Sequence, residues 1–301
     1  MCGVFTEFAI PSGTGSEPGG ITSGPDGNLW FTEIGGNKIG RATTAGTITE
    51  FTGLSPGARP GLITSGPDHN LWFTECIASN IAKITTAGAV TEYHTVTPNA
   101  DPIGIAAGPD GNIWFTERAG AANNIGVSTP TGTVTEYPVP TAGASPEGIG
   151  AGPDGALWFT EENADKIGRV TTTGGFSEFS VPTASSGPVG IVTGPDGELY
   201  FGELNGNNIG RLQTSLTATT FNSAFPLPES GSQPAFTALG PDGNVWFNEV
   251  AGNRIASITP GGKITEYAVP TGSSEPIEIA AGPDGAIWFT EALAGKIGRL
   301  W

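Results

Sequence analysis

Residues 24–33, Gly-Pro-Asp-Gly-Asn-Leu-Trp-Phe-Thr-Glu, return with small changes along the whole chain, and this periodicity limits the fold more than any other feature. The first glycine of the motif falls at Gly24, Gly66, Gly108, Gly152, Gly194, Gly240 and Gly282, giving seven copies spaced by 42, 42, 44, 42, 46 and 42 residues. Each copy runs into an apolar, aromatic segment that ends in an acid, at Glu33, Glu75, Glu117, Glu161, Glu203, Glu249 and Glu291.

Four short strands fit into each unit. In the first unit strand a covers residues 20–23, b 28–33, c 37–43 and d 47–52. The a–b link places Pro where a turn wants φ near −65° and Gly where the chain must reach positive φ; in the second unit His69 stands in for that Gly. Strand b is apolar on both faces, as expected of a strand covered on both sides. Four-stranded units of this length predict an all-β, seven-bladed propeller, read as a single domain over residues 1–301. Residues 4–8, Val-Phe-Thr-Glu-Phe, match the d segments at 47–51, 89–93, 133–137, 175–179 and 263–267, while the last unit stops at Trp301 without one. The N-terminal strand is therefore predicted to close the ring on the last blade. Residues 217–221 look like a degenerate d segment of the fifth blade.

A formal net charge of −17 argues against nucleic-acid or anionic-membrane partners, which require a basic footprint. Cys2 and Cys76 make no disulfide framework or zinc set. No apolar run approaches the ~20 residues of a membrane span, and no signal peptide precedes the first strand, leaving a cytoplasmic or a trimmed secreted protein. A monomer is expected.

Alternating strand direction puts the a–b and c–d turns on one face, and the b–c loops and d-to-a crossings on the other. Glu117 to Ile125 is two residues longer than its counterparts, and Phe221 to Pro234 is four longer than the usual nine. Both insertions are assigned to the b–c/d–a face, which is therefore expected to carry function. The same face collects carboxylates. The residue before the strand a proline and the b-strand Glu lie sixteen apart around the turn, so Glu17/Glu33, Asp101/Glu117 and Glu275/Glu291 become double acids. Such pairs either hold a divalent cation through oxygen or keep one acid protonated. The Glu recurs in all seven units, so a purely structural use is the alternative.

The pattern Glu-Pro-x-x-Ile-x-x-Gly-Pro-Asp-Gly-x-(Leu/Ile)-Trp-Phe-Thr-Glu, followed by Asn-x-Ile-Gly-Arg, resembles the streptogramin B lyase (virginiamycin B lyase) family across all seven units. That resemblance implies a seven-bladed propeller that linearises a cyclic depsipeptide by elimination, with Mg²⁺ polarising the ester, a His removing the α-proton and the ester C–O bond opening. It implies Glu275 and Glu291 as the metal pair. It also implies a catalytic His two residues after Glu275 and a substrate-contacting His one repeat earlier. Here those positions hold Ile277 and Ala235. The corresponding positions of the other blades are Gly19, Gly61, Ile103, Glu147 and Val189, and the two histidines, His69 and His94, lie elsewhere. Glu278, where several blades have Gly, and Glu147 are the acids that could substitute as base.

Three readings follow: a divergent lyase with a substitute base, a silent binding propeller whose acidic face takes cationic or sugar-like ligands, and a structural or protein-interaction propeller with no small ligand. A small cyclic peptide or other small ligand is the partner expected on the b–c/d–a face.

Overall fold

The computed structural model describes residues 3–119, 122–214 and 219–301. Among them are seven four-stranded antiparallel sheets, and each is one blade. In blade 1 the strands are a, Pro18–Ser23; b, Leu29–Glu33; c, Lys38–Ala42; and d, Ile48–Phe51. Blade 7 takes a, b and c from Pro276–Ala281, Ile287–Glu291 and Lys296–Leu300, and its d strand from the N-terminal Phe5–Ala9. The register runs from Phe5↔Leu300 to Ala9↔Lys296, which is the ring closure expected from the sequence.

The core lies between blades. Every b-strand Trp is buried. Trp30 packs with Leu71, Phe73 and Ile84 of the next blade, and Trp288 with Leu29 and Phe31 across the closure. Each indole stacks on the d-strand aromatic of its own blade, as in Trp30 on Phe51 at 5.2 Å and Trp288 on Phe8 at 5.5 Å. Its Nε1–H donates to the turn aspartate, 3.0 Å from Trp30 to Asp26 Oδ1. The repeated Trp thus fills the core while its polar atom is satisfied. The turn glycine is required for this: a Cβ on Gly24 would stand 2.4 Å from the Trp30 ring. Nearer the axis, b-strand hydroxyls link one blade to the next. Thr32 Oγ1 donates to Gly61 O at 2.6 Å, and Thr290 Oγ1 to Gly19 O at 2.7 Å.

One sequence expectation is overturned in blade 5. Its d strand, Thr219–Pro226, places Phe225 and not Phe221 opposite Ile209. Phe225 therefore holds the place that Phe51 holds opposite Ile39. From Phe225 to Pro234 is the ordinary nine residues, so the extra residues belong to the c–d hairpin on the other face. Part of the insertion is a bulge at Arg211/Leu212, and residues 215–218, between Thr214 and Thr219, lie outside the described residues. Phe221 is accordingly not the repeat's d-strand aromatic, and residues 217 and 218 of the segment read as the d repeat lie outside the described residues. The insertion in blade 3 remains on the b–c face, and its residues 120 and 121 lie outside the described residues.

Candidate functional site

In all seven blades the residue before the strand a proline has a left-handed backbone, although six of the seven are not glycine: Glu17, Arg59, Asp101, Ser145, Gln233 and Glu275 have φ between 45° and 56°. This conformation is uncommon and stores strain, and the residue before proline otherwise prefers extended backbone. Here it turns each carbonyl onto the N–H of the residue after the b-strand Glu, as in Ala292 N to Glu275 O at 3.1 Å. Two rings of side chains then surround the mouth of the channel. One holds Gly19, Gly61, Ile103, Glu147, Val189, Ala235 and Ile277; the other holds Ile34, Cys76, Arg118, Glu162, Leu204, Val250 and Ala292.

Together the rings form a bowl on the b–c/d–a face. A central cavity of about 340 Å³ includes Ile34, Leu62, Val189, Leu204, Ala235, Phe236, Val250 and Ile277, with Arg118, Glu147 and Glu162 on one side. A second, of about 500 Å³, continues past Arg59, Cys76, Ile77 and Asp101. These volumes suit a small-molecule ligand, and the mostly apolar wall with few polar groups is the usual composition of such a site. Burial pushes the Cys76 thiol up to about 12, so it is no ready nucleophile.

The Glu275/Glu291 pair is adjacent in register, since Pro276 pairs directly with Glu291. Glu275 is partly exposed, whereas Glu291 is fully buried and neither of its oxygens has a hydrogen-bond partner among the described residues. Two orphaned carboxylate oxygens are a donor set that a hard cation would satisfy. Among the described residues the same orphaning occurs at Glu33 and Glu161, and Glu249 also lacks a hydrogen bond although its Oε2 is ion-paired with Arg254 Nη1 at 3.5 Å, so the feature belongs to the repeat as well as to blade 7. Burial pushes Glu291 up to about 7; the Glu7 carboxylate adds to the rise, and the nearby Ser274 hydroxyl and Lys296 oppose it. Both charges come from the outer strands. Among the described residues no group of three or more His, Cys, Asp or Glu side chains converges. If the pair holds a cation, millimolar Mg²⁺ or Ca²⁺ is expected to raise the melting temperature of the wild type, and Glu291→Gln should remove the effect. Equal stabilisation of both proteins by calorimetry places the ion elsewhere.

The acids considered as substitute bases fall in different places. Glu147 is buried in the bowl wall, but its Oε1 accepts from Arg118 Nη1 at 2.9 Å. Burial raises its pKa, and the Arg118 guanidinium opposes that rise. Glu278 does not reach the bowl. It lines a lower channel cavity of about 110 Å³ among Leu62, Ile63, Ile149, Ile191 and Phe236, and burial pushes it up to about 8. His69 sits in the a–b turn of blade 2 with φ 59°, on the other face. His94 ends strand d of blade 2, with Nδ1 2.6 Å from Asn80 Oδ1. Cys2 lies outside the described residues.

Sequence reasoning missed the Arg118 cluster. Arg118 Nε donates to Asp101 Oδ2 at 2.7 Å while Nη1 holds Glu147. The available signal was a double departure from the repeat: Glu147 is the one charged residue in its ring, and Arg118 the one cation in the other.

The chain matches the virginiamycin B lyase family over residues 1–149 and 118–301. It is similar to a solved streptogramin B lyase, with 38% identity, a TM-score of 0.92, and coverage of 99% of this chain and 97% of that one. The same identity and TM-score relate it to a catalytically inactive His-to-Ala variant of virginiamycin B lyase from Staphylococcus aureus with quinupristin, covering 99% of this chain and 98% of that one. Hydrazine synthase from Kuenenia stuttgartiensis, at 14% identity and a TM-score of 0.77 over 94% of each chain, shares the fold alone. Comparison with curated proteins gives no match.

Proposed function

Because the chain belongs to the virginiamycin B lyase family, we propose that it takes up a small cyclic, peptide-like ligand in the bowl and opens it slowly or not at all. The observation that carries this reading is the aliphatic wall at Ile277 and Ala235, where the family resemblance expects histidines. An eliminating lyase must take the α-proton as the ester C–O bond breaks, leaving an alkene and a carboxylate. General-base catalysis is worth about 10²–10⁴-fold, and neither alkyl group can accept a proton. Glu147 is engaged by Arg118, and Glu278 lies below the bowl, so neither is placed to replace the base. A Mg²⁺ ion held by Glu275 and Glu291 would supply polarisation of the ester. The remaining machinery of this chain would bind and orient the ring against the apolar wall.

The test is to incubate virginiamycin B with the wild type and with Ile277→His/Ala235→His. Elimination adds and removes no atoms, so the product keeps the substrate's mass. It is recognised by its chromatographic shift and by the new absorbance of the unsaturated amide. Binding without turnover is expected of the wild type, and turnover raised by about 10²–10⁴-fold of the double variant. It should fall again when Glu291→Gln is added. Rapid elimination by the wild type would overturn the reading.

A second reading, contact with another protein, is favoured by Ile77 and Leu293, which are 64% and 58% exposed on b–c loops of this face. It gains if virginiamycin B does not bind.

A further inference from the structure

The bowl is divided into two sectors. Blades 5 to 7 contribute mostly aliphatic side chains to the central cavity, Val189, Leu204, Ala235, Val250 and Ile277 beside Gln233 and Phe236, whereas its charged groups, Arg118, Glu147 and Glu162, belong to blades 3 and 4. There the guanidinium of Arg118 is fixed from two sides, by Asp101 on its own blade and by Glu147 from the next. Glu147 is 6% exposed, yet the Arg118 side chain remains 38% exposed and lines both cavities of the bowl. Two of its five N–H groups are bound by carboxylates among the described residues. Burial works against its charge, but the Glu147 and Asp101 carboxylates outweigh that and keep it ionised.

We propose that Arg118 is the specificity-determining anchor of the bowl, donating hydrogen bonds to a neutral carbonyl oxygen of a ligand whose remaining surface lies on the aliphatic sector of blades 5 to 7. This deepens the ligand-binding reading above and rests on it. The choice of a neutral acceptor follows from charge. Arg118 is already opposed by Asp101 and Glu147, and Glu162 adds a further acid that acts on Glu147; with Arg59 of the second cavity counted, three acids stand against two cations and the sector is net negative. A carboxylate brought to Arg118 would meet this excess, whereas an ester or amide carbonyl accepts the hydrogen bond without it. Both carboxylates also hold the planar fork in one orientation, so little side-chain entropy is lost when a carbonyl docks. The two-residue insertion of blade 3 falls between Arg118 and Ile125, so this sector is also where the repeat departs in length on this face.

Binding of virginiamycin B, which offers neutral carbonyls on a closed ring, and of its linearised carboxylate form is measured by titration calorimetry. The proteins are the wild type, Arg118→Met and Arg118→Met/Glu147→Met. The double variant removes the carboxylate that the single one leaves buried and unpaired, and a thermal melt reports whether each protein is folded. The wild type is expected to bind the ring at least about tenfold tighter than the acid, and both variants to bind the ring at least about tenfold more weakly, the scale of one lost hydrogen bond to a charged group. Ring affinity unchanged in a folded variant overturns the anchor while leaving the binding reading standing. No binding of the ring by the wild type removes both.

Discussion

Deleting residues 1–9 is expected to lower the melting temperature by more than about 10 °C, or to prevent a cooperative transition altogether. The strand removed is the d strand of blade 7, paired along its length with Lys296–Leu300. With it go Phe8, stacked on Trp288, and Phe5, set edge-on to Phe289 at 6.0 Å. Glu7 is lost as well. It accepts from Thr271 N at 3.0 Å and Oγ1 at 2.7 Å, and from Lys296 Nζ at 2.8 Å, tying down the crossing into the last blade. Loss of one large aromatic costs about 3–5 kcal/mol, and the unpaired edge of the c strand adds an aggregation hazard. The sum approaches the whole stability of an ordinary domain, about 5–15 kcal/mol. Phe8→Ala alone should cost about 3 kcal/mol in a denaturant melt. A truncated protein that melts with the wild type would show that the ring does not depend on this closure.

The closure was legible because the N-terminal segment carries both the aromatic and the acid of the d repeat at the right spacing. Blade 5 was misread for the complementary reason. Its d strand has Ala224 where other blades have the acid, as at Glu50 or Glu178, so only an aromatic could set the register. Two were available. Phe221 lies opposite Leu212 and set edge-on to Phe201, as Phe176 lies opposite Val170 and against Phe159, while Phe225 takes the place beside Tyr200. Both are apolar positions of one strand, and a bulge lets both be filled, which spacing alone does not reveal.

At the bowl, the sequence placed the Glu275/Glu291 pair and the Ile277 and Ala235 substitutions on the face where the structure has them. It did not announce the left-handed residue before each proline, because six of those seven positions hold side chains that disfavour it. It also did not join Arg118 to Glu147. They are 29 residues apart on neighbouring blades, and their contact exists only because the ring sets the end of one b strand beside the next strand a.

The melting temperature is expected to be highest near pH 5–6 and to fall by several degrees or more by pH 8.5. The b-strand acids are the cause. Glu33, Glu75, Glu117, Glu161 and Glu249 are fully buried. Burial pushes Glu33, Glu75, Glu161 and Glu249 up to about 7, and Glu117 to about 8, and the d-strand acids Glu50, Glu92, Glu178, Glu266 and Glu136 add to the rise. The opposing partners from strand c are Lys38, Asn80, Asn124, Lys166 and Arg254, none of which fully compensates. A carboxyl group whose folded pKa is raised stabilises the fold fully below its unfolded value. That contribution is lost as pH rises through the folded pKa, here between about 4.5 and 8. The d-strand acids work in the other direction: hydrogen bonds from Ser12, Ser55 and Thr141, with Lys38 and Lys166, outweigh burial and hold Glu50, Glu92 and Glu178 below the ordinary range. Their contribution is present at neutral pH and is lost in acid, which sets the lower limit of the optimum. Glu161 isolates the effect, since neither of its oxygens has a hydrogen-bond partner among the described residues. Glu161→Gln keeps the shape of the protonated acid, so it should be nearly neutral at pH 5.5 and stabilising by about 1 kcal/mol at pH 8.5, the order expected for removing one buried charge that burial disfavours. Calorimetric melts at both pH values decide the matter: if Glu161→Gln destabilises equally at each, the b-strand carboxylate is ionised and serving the fold as an acceptor.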